Sequence, residues 1–89
     1  MSTHSDLDQR IRAVLSAHGR LGSDVQALSA ETDLYQAGLT SHASVNVMLA
    51  LEGEFGIEFP DNMLNRSVFS SVVAIRSALI ELGVDQGEA

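Results

Sequence analysis

The residues best placed to do chemistry lie together in "GLTSHAS", Gly38 to Ser44, where Thr40, Ser41 and His42 precede an apolar run. A serine beside a histidine invites a nucleophile-and-base reading. If the run is helical, however, neighbouring side chains point about 100° apart and cannot face each other. The stretch also lacks the Gly-x-Ser-x-Gly turn that exposes a hydrolytic serine. Hydrolysis by Ser41 is therefore disfavoured. A metal site built from His4, His18 and His42 is equally weak, because they fall on separate segments with no ligand spacing. Two roles remain for Ser41: helix capping or attachment of a group. A hydroxyl in a first turn lies beside unpaired N–H groups and the positive end of the helix dipole, which favour a phosphate ester. Thr40 can serve as the cap and leave Ser41 pointing outwards.

The elements that must hold this site are helical. Helix I is expected to begin near Ser5, with Asp8 three residues on as a capping-box variant. Leu7, Ile11, Val14 and Leu15 follow at helical spacing, and Gly19 ends it. Residues 19–39 are long for a connection. Val25, Leu28, Leu34 and Leu39 suggest a loop pinned across the core, with a helical turn at Asp33–Ala37. Helix II is expected over Ser41–Phe55, capped by Thr40 and stopped by Gly56. Val47, Met48, Leu51 and Phe55 form one apolar stripe; Val45 and Leu49 widen it. Such a helix is either central in the bundle or offers surface to a partner. Pro60 and Asp61 start a short helical segment to Asn65. A last helix follows Ser70 or Ser71, with Val72, Ile75, Leu79 and Leu82 inward, and stops at Gly83. "DQGEA" reads as a frayed tail. The expected fold is all-α: three main helices and a short one in a four-helix bundle, with a long loop between the first two.

Composition bounds the function. At 89 residues, 45% of them hydrophobic, the chain is expected to form a single domain, its core about residues 5–83. A formal charge of -7, with arginine as the basic residue throughout, disfavours nucleic acid and favours a basic protein surface. Cysteine is absent, so neither disulfides nor a thiolate metal site can form. The polar "MSTHSDLDQR" start has no signal-peptide core, and no apolar run reaches the ~18 residues of a membrane span. A monomeric cytoplasmic protein with no membrane contact is the expectation.

The stretch "AGLTSHASVNVMLALEGEFGIEFPD" resembles the heart of the acyl and peptidyl carrier protein family. That family shows Gly-x-Asp-Ser-Leu before an amphipathic helix ending Leu-Glu-x-Glu-Phe-Gly-Ile-x-Ile-Pro-Asp. Without a gap, Gly38 and Ser41 fall on the family's glycine and modified serine. Val45, Leu51, Glu52, Glu54, Phe55, Gly56, Ile57, Pro60 and Asp61 fall on later positions of the pattern. "FSSVVAI" is similar to the start of the last helix. The resemblance covers residues 34–80 well. It implies an acyl-carrier-like fold, with 4'-phosphopantetheine joined covalently to Ser41 and a cargo held on its thiol as a thioester. It further implies no catalysis by the chain itself, and partners that attach the arm (a phosphopantetheinyl transferase), load it and unload it.

Departures from the pattern narrow the partners. Thr40 replaces the usual Asp, which in relatives helps the transferase recognise its target. His42 replaces the usual Leu, a partner contact. Asn46 and Gly53 stand where acids are common, and "DNMLNRSV" is about two residues longer than usual and carries Arg66. The docking face is thus thinned of charge, and Thr40, His42, Val45, Asn46, Leu49 and Glu52 are its candidate contacts. These features resemble those of bacterial stand-alone carriers loaded by ligases similar to a truncated seryl-tRNA synthetase. That implies a glycine or alanine cargo activated with ATP, and a downstream aminoacyl transferase. The alternative is a small helical adaptor that binds protein through helix II, with Ser41 unmodified.

Overall fold

The computed structural model describes residues 3–19, 21 and 24–84, with side chains from residue 7 onwards. The expected tail, 85–89, and the side chain of His4 lie outside the described residues. Three α-helices run in the order α1 (Thr3–His18), α2 (Ser41–Phe55) and α3 (Val72–Glu81). Short 3-10 turns occupy Val25–Ala27, Asp61–Met63 and Arg66–Phe69. Among the described residues there is no strand. The fold is all-α and acyl-carrier-like.

Helix α1 is the common floor on which both α2 and α3 lie. Its inward Leu7, Ile11, Val14 and Leu15 are all buried, as their spacing predicts. It begins at Thr3, two residues before the Ser5 cap expected from sequence. Asp8 is engaged elsewhere: both its carboxylate oxygens accept from Arg76 Nη1 on α3, each at 2.9 Å. A charge-assisted bond to a half-buried guanidinium outweighs a surface cap.

Helix α2 has the bounds that Thr40 and Gly56 predict. Gly56 adopts φ 63 and ψ 40, a left-handed conformation in which a side chain is strained, and the Ile57 N–H then closes back on Glu52 O at 3.1 Å. Val47 and Leu51 are buried, Met48 and Phe55 only partly. Ala43 on α2 and Ala78 on α3 also enter the core, where small side chains let elements approach closely. Helix α2 is not the centre of the bundle: Val45 and Leu49 are 50% and 55% exposed.

The short helical segment expected over residues 61–65 is a 3-10 turn at Asp61–Met63, and a second 3-10 turn, Arg66–Phe69, follows it. Pro60 leads into the first, and Asn65 caps the second by accepting from Val68 N–H at 3.2 Å. Phe69 closes the second turn and meets Phe59 edge-to-face, with ring centroids 5.4 Å apart. Helix α3 starts behind Ser71, whose Oγ accepts from Ala74 N–H at 3.0 Å. Val72, Ile75 and Leu79 are buried.

Candidate functional site

The loop from α1 to α2 delivers the site, and its course is fixed at several points. Arg12 Nη1 donates to the carbonyls of Val25 and Leu28, both at 2.7 Å, and Val25 is buried. The Asp33 carboxylate accepts from Tyr35 N–H at 3.0 Å and starts one helical turn, in which Ala37 N–H reaches Asp33 O at 3.1 Å. Leu34 is fully buried, and its N–H donates to Ser70 O at 2.7 Å. Gly38 then turns the chain at φ 120, a region that favours glycine. Leu39 drops into the core and hydrogen-bonds to Leu34 O. The next residues must therefore emerge at the surface.

Thr40 is extended and its Oγ1 accepts from Ala43 N–H at 3.0 Å. That satisfies one of the unpaired amides of the first turn. Ser41 is exposed, and among the described residues no hydrogen bond engages its hydroxyl. Ser44 Oγ donates to Ser41 O at 2.7 Å, which leaves the Ser41 side chain outside that contact. The amides of Ser41 and His42 have no protein acceptor among the described residues.

A groove of about 380 Å³ opens beside Ser41, between the first turns of α2 and residues 64–69. Val45, Met48, Leu64 and Phe69 make it largely apolar. Tyr35 and Arg66 also line it, with the guanidinium carbon 4.0 Å from the centre of the tyrosine ring. Among the described residues no carboxylate lines it.

Comparison with known proteins bears on this geometry. Residues 9–75 match the model of a family described as "Phosphopantetheine attachment site". The chain belongs to that family. It is 46% identical over 83 residues to an aminoacyl carrier protein of Agrobacterium fabrum (strain C58 / ATCC 33970), covering 93% of this chain and 99% of that one. Its fold is similar, with a TM-score of 0.80 and 46% identity, to a chain in a crystal structure of an engineered Bradyrhizobium japonicum glycine:[carrier protein] ligase complexed with carrier protein from Agrobacterium tumefaciens and AMP. There 82% of this chain and 97% of the other are covered. A second crystal structure, the Bradyrhizobium japonicum ligase complexed with glycylated carrier protein, contains a chain matching at TM-score 0.64 and 25% identity over 86% of this chain and 99% of that one.

Membership of the phosphopantetheine attachment family implies that prosthetic group, and the residues fit it. Ser41 is exposed, its hydroxyl is spared from capping, and it sits in a first turn whose Ser41 and His42 amides have no acceptor among the described residues; it also lines a groove that no described carboxylate lines. The other expected site residues divide. His42, Val45 and Leu49 are exposed and Asn46 is partly so. Val45 is the one of these that lines the groove. Thr40 is occupied as a cap. Glu52 is turned inward: its Oε2 accepts from Phe59 N–H at 2.9 Å and holds the chain leaving α2. Sequence reasoning did not bring Tyr35 to the site, nor stack Arg66 upon it. Leu64, 45% exposed, was also missed. Leu64 and Arg66 had one local signal, the extra length of the 61–68 segment, and Tyr35 had none. Among the described residues no group of His, Cys, Asp or Glu could hold a metal, and no helix is long and apolar enough to cross a membrane.

Proposed function

We propose that this chain is a discrete aminoacyl carrier, with 4'-phosphopantetheine borne covalently on Ser41. The observation that carries the reading is the division of labour at the start of α2, where Thr40 caps and leaves the Ser41 hydroxyl exposed and unengaged. When bound, the group supplies a thiol on which cargo is held as a thioester. That suits a chain with no sulfhydryl of its own. The polypeptide performs no chemistry in this reading. Leu34 and Leu39 anchor the loop, Thr40 fixes the first turn, and the two free amides and the helix dipole favour the attached anion.

The kinship to an aminoacyl carrier protein and to chains solved with a glycine:[carrier protein] ligase supports glycine as cargo and a ligase of that kind as loader. Partners would meet the face of His42, Val45, Asn46 and Leu49, with Thr40 at its edge. The transferase that installs the arm, the enzyme that removes the cargo, the monomeric state, the cytoplasmic location and the single domain over about residues 5–83 belong to the same proposal.

Intact mass before and after incubation with coenzyme A and a broad-specificity phosphopantetheinyl transferase tests it. One phosphopantetheine should be added to the wild type and none to Ser41→Ala. An exposed substitution in the first turn should change stability by no more than about 0.5 kcal/mol. Unchanged mass with active transferases would overturn the carrier reading in favour of the adaptor; addition to Ser41→Ala would overturn the site.

A further inference from the structure

Each of the other described arginines commits its guanidinium to oxygen. Arg10 bonds the side chain and carbonyl of Glu54 at 3.1 and 3.2 Å. Arg12 holds two loop carbonyls, and Arg76 holds Asp8. Arg66 differs: it is exposed, and among the described residues its partner is the face of the Tyr35 ring. Stacking occupies the flat face of a guanidinium and leaves its in-plane N–H edge open. Arg66 and Ser41 both line the groove, and among the described residues no carboxylate lines it to compete for that edge.

We propose that Arg66 binds the phosphodiester oxygens at Ser41, with Tyr35 as the positioning residue that holds the guanidinium in place. The inference rests on the reading of Ser41 as the attachment site. Two independent stretches of chain build the arrangement. Tyr35 sits in the Asp33-capped turn of the loop that delivers Ser41. Arg66 opens the 3-10 turn that Asn65 caps and the buried Phe69 anchors. On a chain of formal charge -7, a further anion is opposed by the field of the whole molecule, and a cation beside it offsets that locally. An arginine–phosphate pair also directs the first bonds of the arm across the groove mouth, so the residue acts on its starting direction as well as its charge.

The test uses the modified full chain, with attachment first verified by intact mass. Side-chain N–H resonances of arginine and the phosphorus resonance are then recorded for wild type, Arg66→Gln and Arg66→Lys. In the wild type, the Arg66 Nε–H signal and the Tyr35 ring signals should shift when the arm is attached. The phosphorus resonance should differ from that of Arg66→Gln, with Arg66→Lys between them. The difference should collapse in about 1 M salt, where the Debye length is about 3 Å. Mass gain with unmoved Arg66 signals, or a phosphorus resonance indifferent to Arg66→Gln, would overturn this proposal and leave the carrier reading intact. Should Arg66→Gln resist modification, the wild-type shifts and their salt dependence decide alone. No mass gain in the wild type would remove both proposals together.

Discussion

At the scale of single residues, two positions on one helix separate docking from architecture. Leu49 is 55% exposed and adds little to the core. Glu52 belongs to the family's run of acids, yet its carboxylate holds Phe59 N–H. Leu49→Ser should therefore slow loading by a partner ligase while leaving the melting temperature nearly unchanged. Glu52→Ala should do the reverse. Loss of a hydrogen bond to a charged acceptor costs about 1.5–3 kcal/mol, and partial exposure places this one at the low end. Loading kinetics and thermal melts on the same two proteins check the contrast; equal behaviour would dissolve it. The role of Glu52 was illegible in sequence, because a surface acid and an acid folded back on an amide seven residues away have the same local pattern. Thr40 and Ser41 were legible, since a cap and the residue it spares are neighbours.

At the scale of elements, boundaries set by adjacent residues proved more readable than one that hung on a distant partner. Gly56 and Ser71 mark their boundaries through backbone and hydroxyl chemistry that depends on adjacent residues alone. Ser5 lies inside α1 rather than at its cap, and Asp8, its expected capping-box partner, answers instead to Arg76, 68 positions away. The segment expected over 61–65 forms its turn at Asp61–Met63, and Asn65, expected as its last residue, instead caps a further turn over Arg66–Phe69. Two glycines, Gly53 within α2 and Gly56 just past its end, make opposite predictions. Gly53 lies inside the helix with open space where a Cβ would go, so Gly53→Ala should stabilise by about 1 kcal/mol. Gly56 also has room, but its positive φ makes Gly56→Ala unfavourable by about 1 kcal/mol. Each corresponds to a melting shift of roughly 4–8 °C, upward for the first and downward for the second. Calorimetry should find opposite signs; equal signs would mean that helix propensity or backbone strain has been misjudged.

At the scale of the whole molecule, the core was largely predictable and the groove was not. Leu7, Ile11, Val47, Leu51, Ile75 and Leu79 declare themselves by helical period, and all are buried. Tyr35 and Arg66 stand 31 residues apart in sequence and meet only through packing, so no local pattern announces their pairing. What unites the distant pieces is a pair of backbone bonds between the long loop and the approach to α3. Leu34 N–H donates to Ser70 O at 2.7 Å, and Val73 N–H donates to Ala30 O at 3.0 Å. Such a cross-stitch ties the loop's opening to the unravelling of the last helix's start. Native-state hydrogen exchange should accordingly find the Leu34 and Val73 amides opening in the same cooperative unit, with free energies close to that of global unfolding. Fast exchange at Leu34 alone would show the loop opening by itself. With the stitch intact, Ser41 would serve the proposed arm as a pivot: in that reading, travel between enzymes falls to tumbling of the protein and to the arm itself, and not to the loop that the two backbone bonds hold.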